Sequence, residues 1–347
     1  MPINFPKRLV LAQTPTPLQP LDRLSANLGG PRIWVKRDDL TGSVLSGNKV
    51  RKLEFVVAKA IEEGCDTLIT CGGLQSNHCR ATAVVGAQLG LKVHLILRGE
   101  LQTSSDEVDG NLLLDQLLGA HLSTYSAAEY SASLPQLFRQ WQAHYQALGA
   151  KPFLIPTGAS DGIGAWGYIK ACQELALDFK AHGIKPKYIV CATGSGGTQA
   201  GLTVGGHLWG LGCKVIGMAV CDSESYFLNK IRSDLDDWQH RYGTDINVEL
   251  ERELKPELDL DKLVAYVNDH YIGPGYGKAT ADVFSTIKSI ARLEGLVLDP
   301  VYTGKAFHGL VEEIKKGNFS DSDDIVFVHT GGVFGLFPQK KQLLLEK

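Results

Sequence analysis

What this chain lacks narrows it first. No window approaches 18 uninterrupted apolar residues, so no segment is expected to span a membrane. The first seven residues, Met1 to Lys7, hold no apolar core of signal-peptide length. Neither sign of charge dominates: 35 Lys and Arg stand against 38 Asp and Glu, a net charge of −3, which leaves no basic footprint for nucleic acid or an anionic lipid surface. There is no Cys-x-x-Cys pair, and the seven cysteines (65, 71, 79, 172, 191, 213 and 221) are odd in number. Several lie in apolar runs such as Ile189 to Ala192, so reduced thiols and a cytoplasmic setting are expected in place of a disulfide framework. His78 with Cys71 and Cys79 fits no zinc spacing, so no metal is expected. No low-complexity tract and no repeat of fixed period occurs.

What is there is an alternation. The 347 residues carry 38 glycines, and short apolar runs alternate with stretches of helical period. Strands are predicted at 32–37, 67–71, 92–97, 121–124, 153–156, 188–191, 214–220 and 325–329. Helices are predicted from the turn at 46–54 to about 63, then at 77–89, 111–118, 134–148, 165–179, after the glycine run at 194–198, and at 279–294. This order implies an α/β chain with a parallel sheet covered on both faces, and its length suggests two domains. Residues 5–24 read as an extended arm with turns, 222–270 as helical and polar, and the acidic run 320–324 as a solvated loop.

Four predicted strands end in turns of small residues: Thr70 to Gly73, Pro156 to Ser160, Ala192 to Thr198 and His329 to Gly332. Ligands in open α/β sheets lie beyond the carboxyl ends of the strands, so these turns are expected to converge. Gly194-Ser-Gly-Gly-Thr198 opens a helix and suits a phosphate, although a plain strand–helix turn has the same composition. It lacks the Gly-Lys-[Ser/Thr] of a Walker loop, and its best case as a dinucleotide fingerprint is Asp222 about 20 residues on. Ser76 and Asn77 suit a carboxylate site or simple helix capping. Lys49, at a helix entry, is either a solvated lysine or a nucleophile whose ammonium the helix dipole disfavours. Tyr276 and Tyr302, each in glycine-rich surroundings, suit acid–base work or packing.

A lysine turn, a phosphate loop and a carboxylate-type loop together suggest pyridoxal phosphate. The segments Val35-Lys-Arg-Asp-Asp, Gly47-Asn-Lys-Val-Arg-Lys-Leu-Glu, Gly72-Gly-Leu-Gln-Ser-Asn-His, Gly197-Thr-Gln-Ala-Gly, Leu298-Asp-Pro-Val-Tyr-Thr-Gly-Lys and His329-Thr-Gly-Gly follow in order across residues 30–335. In them the chain resembles the aminocyclopropane-carboxylate deaminase/D-cysteine desulfhydrase group of fold type II pyridoxal-phosphate enzymes. The resemblance implies a tryptophan synthase β-like fold of two domains with open, mostly parallel twisted sheets. A large cofactor-binding domain would comprise 1–50 and 161–347, a small one 51–160, with the cofactor in the cleft between them. Lys49 would carry the cofactor and then serve as base. Asn77 would touch the ring oxygen, and Gly194, Ser195, Gly196, Gly197 and Thr198 would cradle the phosphate. Ser76, Asn77, His78 and Gly158 would bind substrate, and Tyr276 and Tyr302 would flank it.

Deaminases of the group resemble this chain but carry Glu and Leu where it has Thr303 and Thr330. Both threonines are therefore expected beside the cofactor, where a hydroxyl at the pyridine nitrogen makes a weaker electron sink than a carboxylate. That favours the desulfhydrase-like branch: D-cysteine to pyruvate, sulfide and ammonia. Aminocyclopropane-carboxylate deaminase and cysteate sulfo-lyase are the close alternatives, and a nucleotide-binding regulatory protein the distant one. A homodimer acting on a small amino acid, with no nucleic-acid or membrane partner, is implied by the resemblance.

Overall fold

The computed structural model describes residues 3–100, 108–252 (side chains to 246) and 258–344. In chain order the elements are β1 (Leu18–Pro20), α1 (Asp22–Leu28), β2 (Arg32–Lys36), α2 (Asn48–Glu62), β3 (Thr67–Gly73), α3 (Asn77–Leu89), β4 (Lys92–Arg98), α4 (Gly110–Leu117), β5 (His121–Tyr125), α5 (Ala127–Ala147) and β6 (Pro152–Leu154). They continue with α6 (Trp166–His182), β7 (Tyr188–Thr193), α7 (Gly197–Leu208), β8 (Lys214–Ala219), α8 (Glu224–Arg252), β9 (Tyr266–Asn268), α9 (Ala281–Glu294), α10 (Thr303–Lys315), β10 (Asp324–Val328) and α11 (Lys340–Leu344).

The strands form two sheets. One has four strands in the order β5-β4-β3-β6, all parallel. The other has six in the order β1-β2-β10-β7-β8-β9, parallel except for β1, which runs antiparallel along β2. Their central strands are buried on both faces, as parallel strands between helical layers must be. Among the described residues, no helix is long and apolar enough to cross a membrane. The seven cysteines are free, five of them buried.

Several expectations need correction. The arm at 5–24 contains β1 and the start of α1, and 222–270 ends in the edge strand β9. Neither three-residue strand has enough periodicity to be seen in sequence. Helix α10 was not foreseen. Helix α5 begins at Ala127 and runs through Pro135, because Ser126 accepts the N–H of Glu129 and starts the helix earlier than 134. The acidic run is a solvated turn only over Ser320, Asp321 and Ser322, while Asp323 and Asp324 are buried. Asp324 takes hydrogen bonds from Arg32 and Trp34, and Asp323 pairs with Lys187 at 2.6 Å.

Helix α2 holds the two halves of the chain in register, because its polar residues are as buried as its apolar ones. Val50, Leu53, Val56 and Val57 pack in the main core. Arg51, Lys52 and Glu54 are 2%, 0% and 2% exposed, so each needs a built partner. Arg51 donates to both oxygens of Asp38 at 2.9 and 2.8 Å and to both oxygens of Glu174 at 2.8 and 3.0 Å. Tyr168 and Thr16 complete the shell of Asp38 at 2.6 and 2.8 Å. Glu54 accepts the N–H groups of Leu11 and Ala12, each at 2.9 Å, and pairs with Arg8 at 2.6 Å. That clamps the N-terminal arm onto the helix.

Burial alone pushes the Asp38 carboxyl up, but Arg51, with help from Lys36 and Tyr168, outweighs it and holds the pKa below the usual 3.8. A carboxylate with a depressed folded-state pKa stabilises the fold fully above its unfolded value, and this is lost as pH falls through the folded value. Arg51→Met should therefore cost about 3–5 kcal/mol in urea unfolding at neutral pH, since it strands buried carboxylates. The gap to the wild-type chain should narrow in acid, below pH ~4.

Candidate active site

The carboxyl ends of β3 and β6 in one sheet and of β7 and β10 in the other open onto a single cavity of about 390 Å³. The four small-residue turns do converge, but across two sheets and not along the edge of one. Lys49, Ser76, Asn77, His78, Gly158, Gly194, Ser195, Gly196, Thr198, Tyr276, Tyr302 and Thr330 all stand on its wall.

Lys49 is the second residue of α2. The turn before it is bolted to the turn after β10. Gly47 has a φ of +89°, and a Cβ there would come within 2.6 Å of the Thr330 carbonyl oxygen. The Asn48 N–H donates to that same carbonyl at 3.1 Å, and the Asn48 amide donates to Thr198 Oγ1 at 2.9 Å. The lysine is thereby aimed between Thr330 and the Gly194 loop. Its pKa is lowered to about 8 by burial. Gly158, with a φ of +66°, lies alongside: a Cβ there would be 3.4 Å from Lys49 Nζ and 2.4 Å from Ser195 Oγ.

The Gly194 loop has a form that suits an anion, because it leads into the start of α7 after Gly196. Gly197 departs from expectation: it is not on the cavity wall, and its N–H is taken by Ser160. Behind it lies Lys52, which the sequence reading missed. It is fully buried and donates to the Gly158 carbonyl at 3.0 Å and Ser160 Oγ at 3.3 Å, both neutral oxygens. Among the described residues no carboxylate forms an ion pair with it. Burial, then the neighbouring Lys49, drives its pKa well down. A Cβ on Gly197 would stand 2.7 Å from Lys52 Nζ, so the glycine leaves the amine against the loop. Ser160 Oγ links the parts, contacting Ser195 Oγ at 2.8 Å and accepting the Gly197 N–H at 3.2 Å. A buried amine beside a helix N-terminus suits an anion, whose charge would favour the ammonium form. The signal available in sequence was spacing, since positions 49 and 52 share a helix face.

On the opposite wall Ser76 caps α3, its Oγ accepting the Cys79 N–H at 3.2 Å, which leaves its own O–H free to donate. Ser76 thus both caps the helix and lines the cavity. His78 is buried, with Nε2 2.8 Å from Thr70 Oγ1. The Thr70 hydroxyl donates to the Ile155 carbonyl at 2.9 Å, so Nε2 carries the ring proton and Nδ1 is an acceptor. Nδ1 is buried and has no partner among the described residues. Burial, then Lys49 and Lys52, keep this ring neutral.

The Tyr276 and Tyr302 hydroxyls meet at 2.6 Å. Burial raises both, Tyr276 to about 12 and Tyr302 well above its ordinary value. Arg98, absent from the sequence reading, lies 5.0 Å over the Tyr276 ring and eases its ionisation. Lys305 Nζ ties down the Tyr276 turn by donating to the carbonyls of Ile272 and Gly275, each at 2.7 Å.

Thr303 departs from expectation. It is fully buried but is not on the cavity wall. Its hydroxyl donates to Asp299 Oδ1 at 2.7 Å, and Asp299 also takes the N–H groups of Val301, Tyr302 and Thr303. This ring of bonds starts α10, so the threonine organises the tyrosine turn and does not face a ligand. Thr330 alone of the two threonines reaches the cavity.

Comparison with known proteins agrees with this geometry. Residues 9–331 match the family model described as "Pyridoxal-phosphate dependent enzyme". The chain is 39% identical over 340 residues to the bifunctional D-cysteine desulfhydrase/1-aminocyclopropane-1-carboxylate deaminase of Arabidopsis thaliana, covering 96% of this chain and 80% of that one. It is 39% identical over 338 residues to a D-cysteine desulfhydrase of Klebsiella pneumoniae, covering 96% of each. A crystal structure described as an ACC deaminase homologue superposes with a TM-score of 0.85 at 34% identity, covering 97% of this chain and 95% of that one.

Lys49 should be acylated by a small amine-directed reagent with a pH midpoint of about 8, ahead of the surface lysines, as read by peptide mass spectrometry. A midpoint at the ordinary lysine value would mean that the amine is solvated.

Proposed function

This chain belongs to the family of pyridoxal-phosphate dependent enzymes, and on that premise we propose that it deaminates a small amino acid by α,β-elimination, turning D-cysteine and water into pyruvate, sulfide and ammonia. The observation that carries the reading is the meeting, in one cavity, of a buried amine of lowered pKa and a glycine loop at a helix start, with the buried Lys52 packed behind that loop. Lys49 would hold the cofactor covalently. Gly194, Ser195, Gly196 and Thr198, which line the cavity, would hold its phosphate, with Gly197 and Lys52 packed behind them. Asn77 would hold its ring oxygen and Thr330 its ring nitrogen. When bound, pyridoxal phosphate supplies a sink for the electron pair left on the substrate's α-carbon.

The chain's own groups do the rest. Ser76, the first N–H groups of α3, His78 and Gly158 receive the substrate, whose carboxylate suits the positive end of that helix. Lys49, set free when the substrate's amine takes its place and neutral for a good part of its time near pH 8, takes the α-proton. Tyr276 hands a proton to the departing thiolate, with Arg98 and the Tyr302 hydroxyl supporting the phenolate left behind. Among the described wall residues Asp222 is the one carboxylate, and Asp299 is saturated by its own turn. A ring nitrogen facing Thr330 therefore meets a neutral neighbour, which suits loss of an α-proton and a good leaving group better than opening a cyclopropane. A second reading, aminocyclopropane-carboxylate deaminase, draws support from the bifunctional Arabidopsis relative.

The protein purified with pyridoxal phosphate should be yellow, and Lys49→Ala should lose the visible band. Supplied in turn with D-cysteine, L-cysteine, cysteate, D-serine and aminocyclopropane carboxylate, it should form pyruvate fastest from D-cysteine. 2-Oxobutyrate from the cyclopropane acid at a comparable rate would move the assignment to the second reading. Tyr276→Phe should lower kcat on D-cysteine by about 100-fold, the lower end of what a general acid supplies. It should spare β-chloro-D-alanine, whose chloride leaves without a proton.

A further inference from the structure

Asn111, the second residue of α4, is fully buried behind the cavity wall and has no part in the roles above. Its surroundings nevertheless fix how Asn77 faces the cavity. The Asn111 main-chain N–H donates to Gln75 Oε1 at 2.9 Å, and Gln75 Nε2 donates to the Asp109 carbonyl at 2.9 Å. Both partners are main-chain groups of fixed polarity, so the Gln75 amide has one orientation. Asn111 Nδ2 donates to the Gln75 main-chain carbonyl at 3.0 Å, an oxygen that can only accept. This orients the Asn111 amide as well. The same NH₂ group donates to Asn77 Oδ1 at 3.0 Å. With its oxygen held from behind, Asn77 has only its NH₂ group left for the cavity. Amide orientation, ordinarily ambiguous, here follows from main-chain atoms.

We propose that Asn111 is a positioning residue that makes Asn77 present an N–H donor, and never its oxygen, to the group bound in the cavity. The inference rests on the reading that Asn77 meets the cofactor's ring oxygen. That oxygen tends to carry negative charge, so a donor stabilises it while an amide turned the other way would set oxygen against oxygen. The support behind Asn111 is itself rigid. Asp109 caps α4 and pairs with Lys340 at 2.8 Å. Gly110, at a φ of +59°, is hemmed in: a Cβ there would lie 2.5 Å from the Phe334 carbonyl oxygen and 2.7 Å from Gln75 Oε1. The donor geometry thus depends on α4 and the C-terminal segment as much as on the helix that carries Asn77.

The test is a cycle of Asn111→Asp and Asn111→Ala, each alone and combined with Asn77→Ala. The carboxylate introduced by Asn111→Asp only accepts, so it draws the Asn77 NH₂ toward itself and turns its oxygen to the cavity. Each apoenzyme is titrated with pyridoxal phosphate. The readouts are the dissociation constant, the pH midpoint of the visible band, and the melting temperature of the apoenzyme. Asn77→Ala and Asn111→Asp should each weaken binding by about tenfold, the weight of one hydrogen bond to a charged acceptor. Asn111→Asp should also shift the pH midpoint, and it should have no further effect once Asn77 is alanine. Asn111→Ala, which frees the amide without reversing it, should give a smaller loss in the same direction and serves alone if the aspartate variant does not fold. Equal weakening by the Asn111 variants with and without Asn77, or an unchanged midpoint in them while Asn77→Ala moves it, would overturn the positioning role and leave the Asn77 contact standing. Unchanged affinity and spectrum in Asn77→Ala would overturn the contact itself, and the inference with it.

Discussion

The structure depends on the burial of one guanidinium. Arg51 sits in the same first turn of α2 as Lys49, and it bridges Asp38, which follows β2, to Glu174 on α6. Buried ion pairs rarely win against apolar packing in stability alone. Their value is geometric: five donors in a rigid fork accept one arrangement of two carboxylates and reject others. Helix α2 cannot rotate or slide without stranding those charges. The amines at positions 49 and 52, on the same helix, inherit that fixity. Glu54 extends it to the N-terminal arm, so the first two turns of the helix are held by polar partners from three different parts of the chain, Asp38, Glu174 and the arm at Leu11 and Ala12.

Each of the two sheets contributes half of the cavity, and the halves differ in kind. The six-stranded sheet supplies glycine turns and helix ends that suit an anion. The four-stranded sheet supplies side chains at the start of α3, namely Ser76, Asn77 and His78, which suit a polar small molecule. The lysine turn lies where the halves meet, bonded to Thr198 and Thr330 while its neighbour Gly158 comes from the end of β6. A site made this way needs no single strand to carry all the chemistry.

Much of this was legible in sequence, for a physical reason. Long helices and buried parallel strands have strong periodicity, and turns at strand ends must be small, so Lys49, the Gly194 loop and both tyrosines could be singled out. What escaped reading was set by contacts distant in sequence. Lys52 looks like any helix lysine until Gly158 and Ser160 enclose it. Arg98 ends an ordinary strand, and only the fold brings Tyr276 beneath it. Thr303 matched a motif that suggested a ligand, yet its hydroxyl is taken by Asp299, four residues away, in a turn that no periodicity reveals. The acidic residues 323 and 324 failed similarly: like-charge runs are usually solvated, and here Arg32, Trp34 and Lys187 come from elsewhere to bury them.

The seat of the lysine turn has a consequence for the newly made chain. Strand β2 is completed only when β10 inserts between it and β7, and the Asn48 N–H has its partner only when Thr330 arrives. Residue 330 is made long after residue 49, so the turn that carries the lysine waits for its seat while the intervening helices and strands are made. A chain stopped short of β10 lacks the carbonyl that holds this turn, and with it the contact that aims the amine between Thr330 and the Gly194 loop.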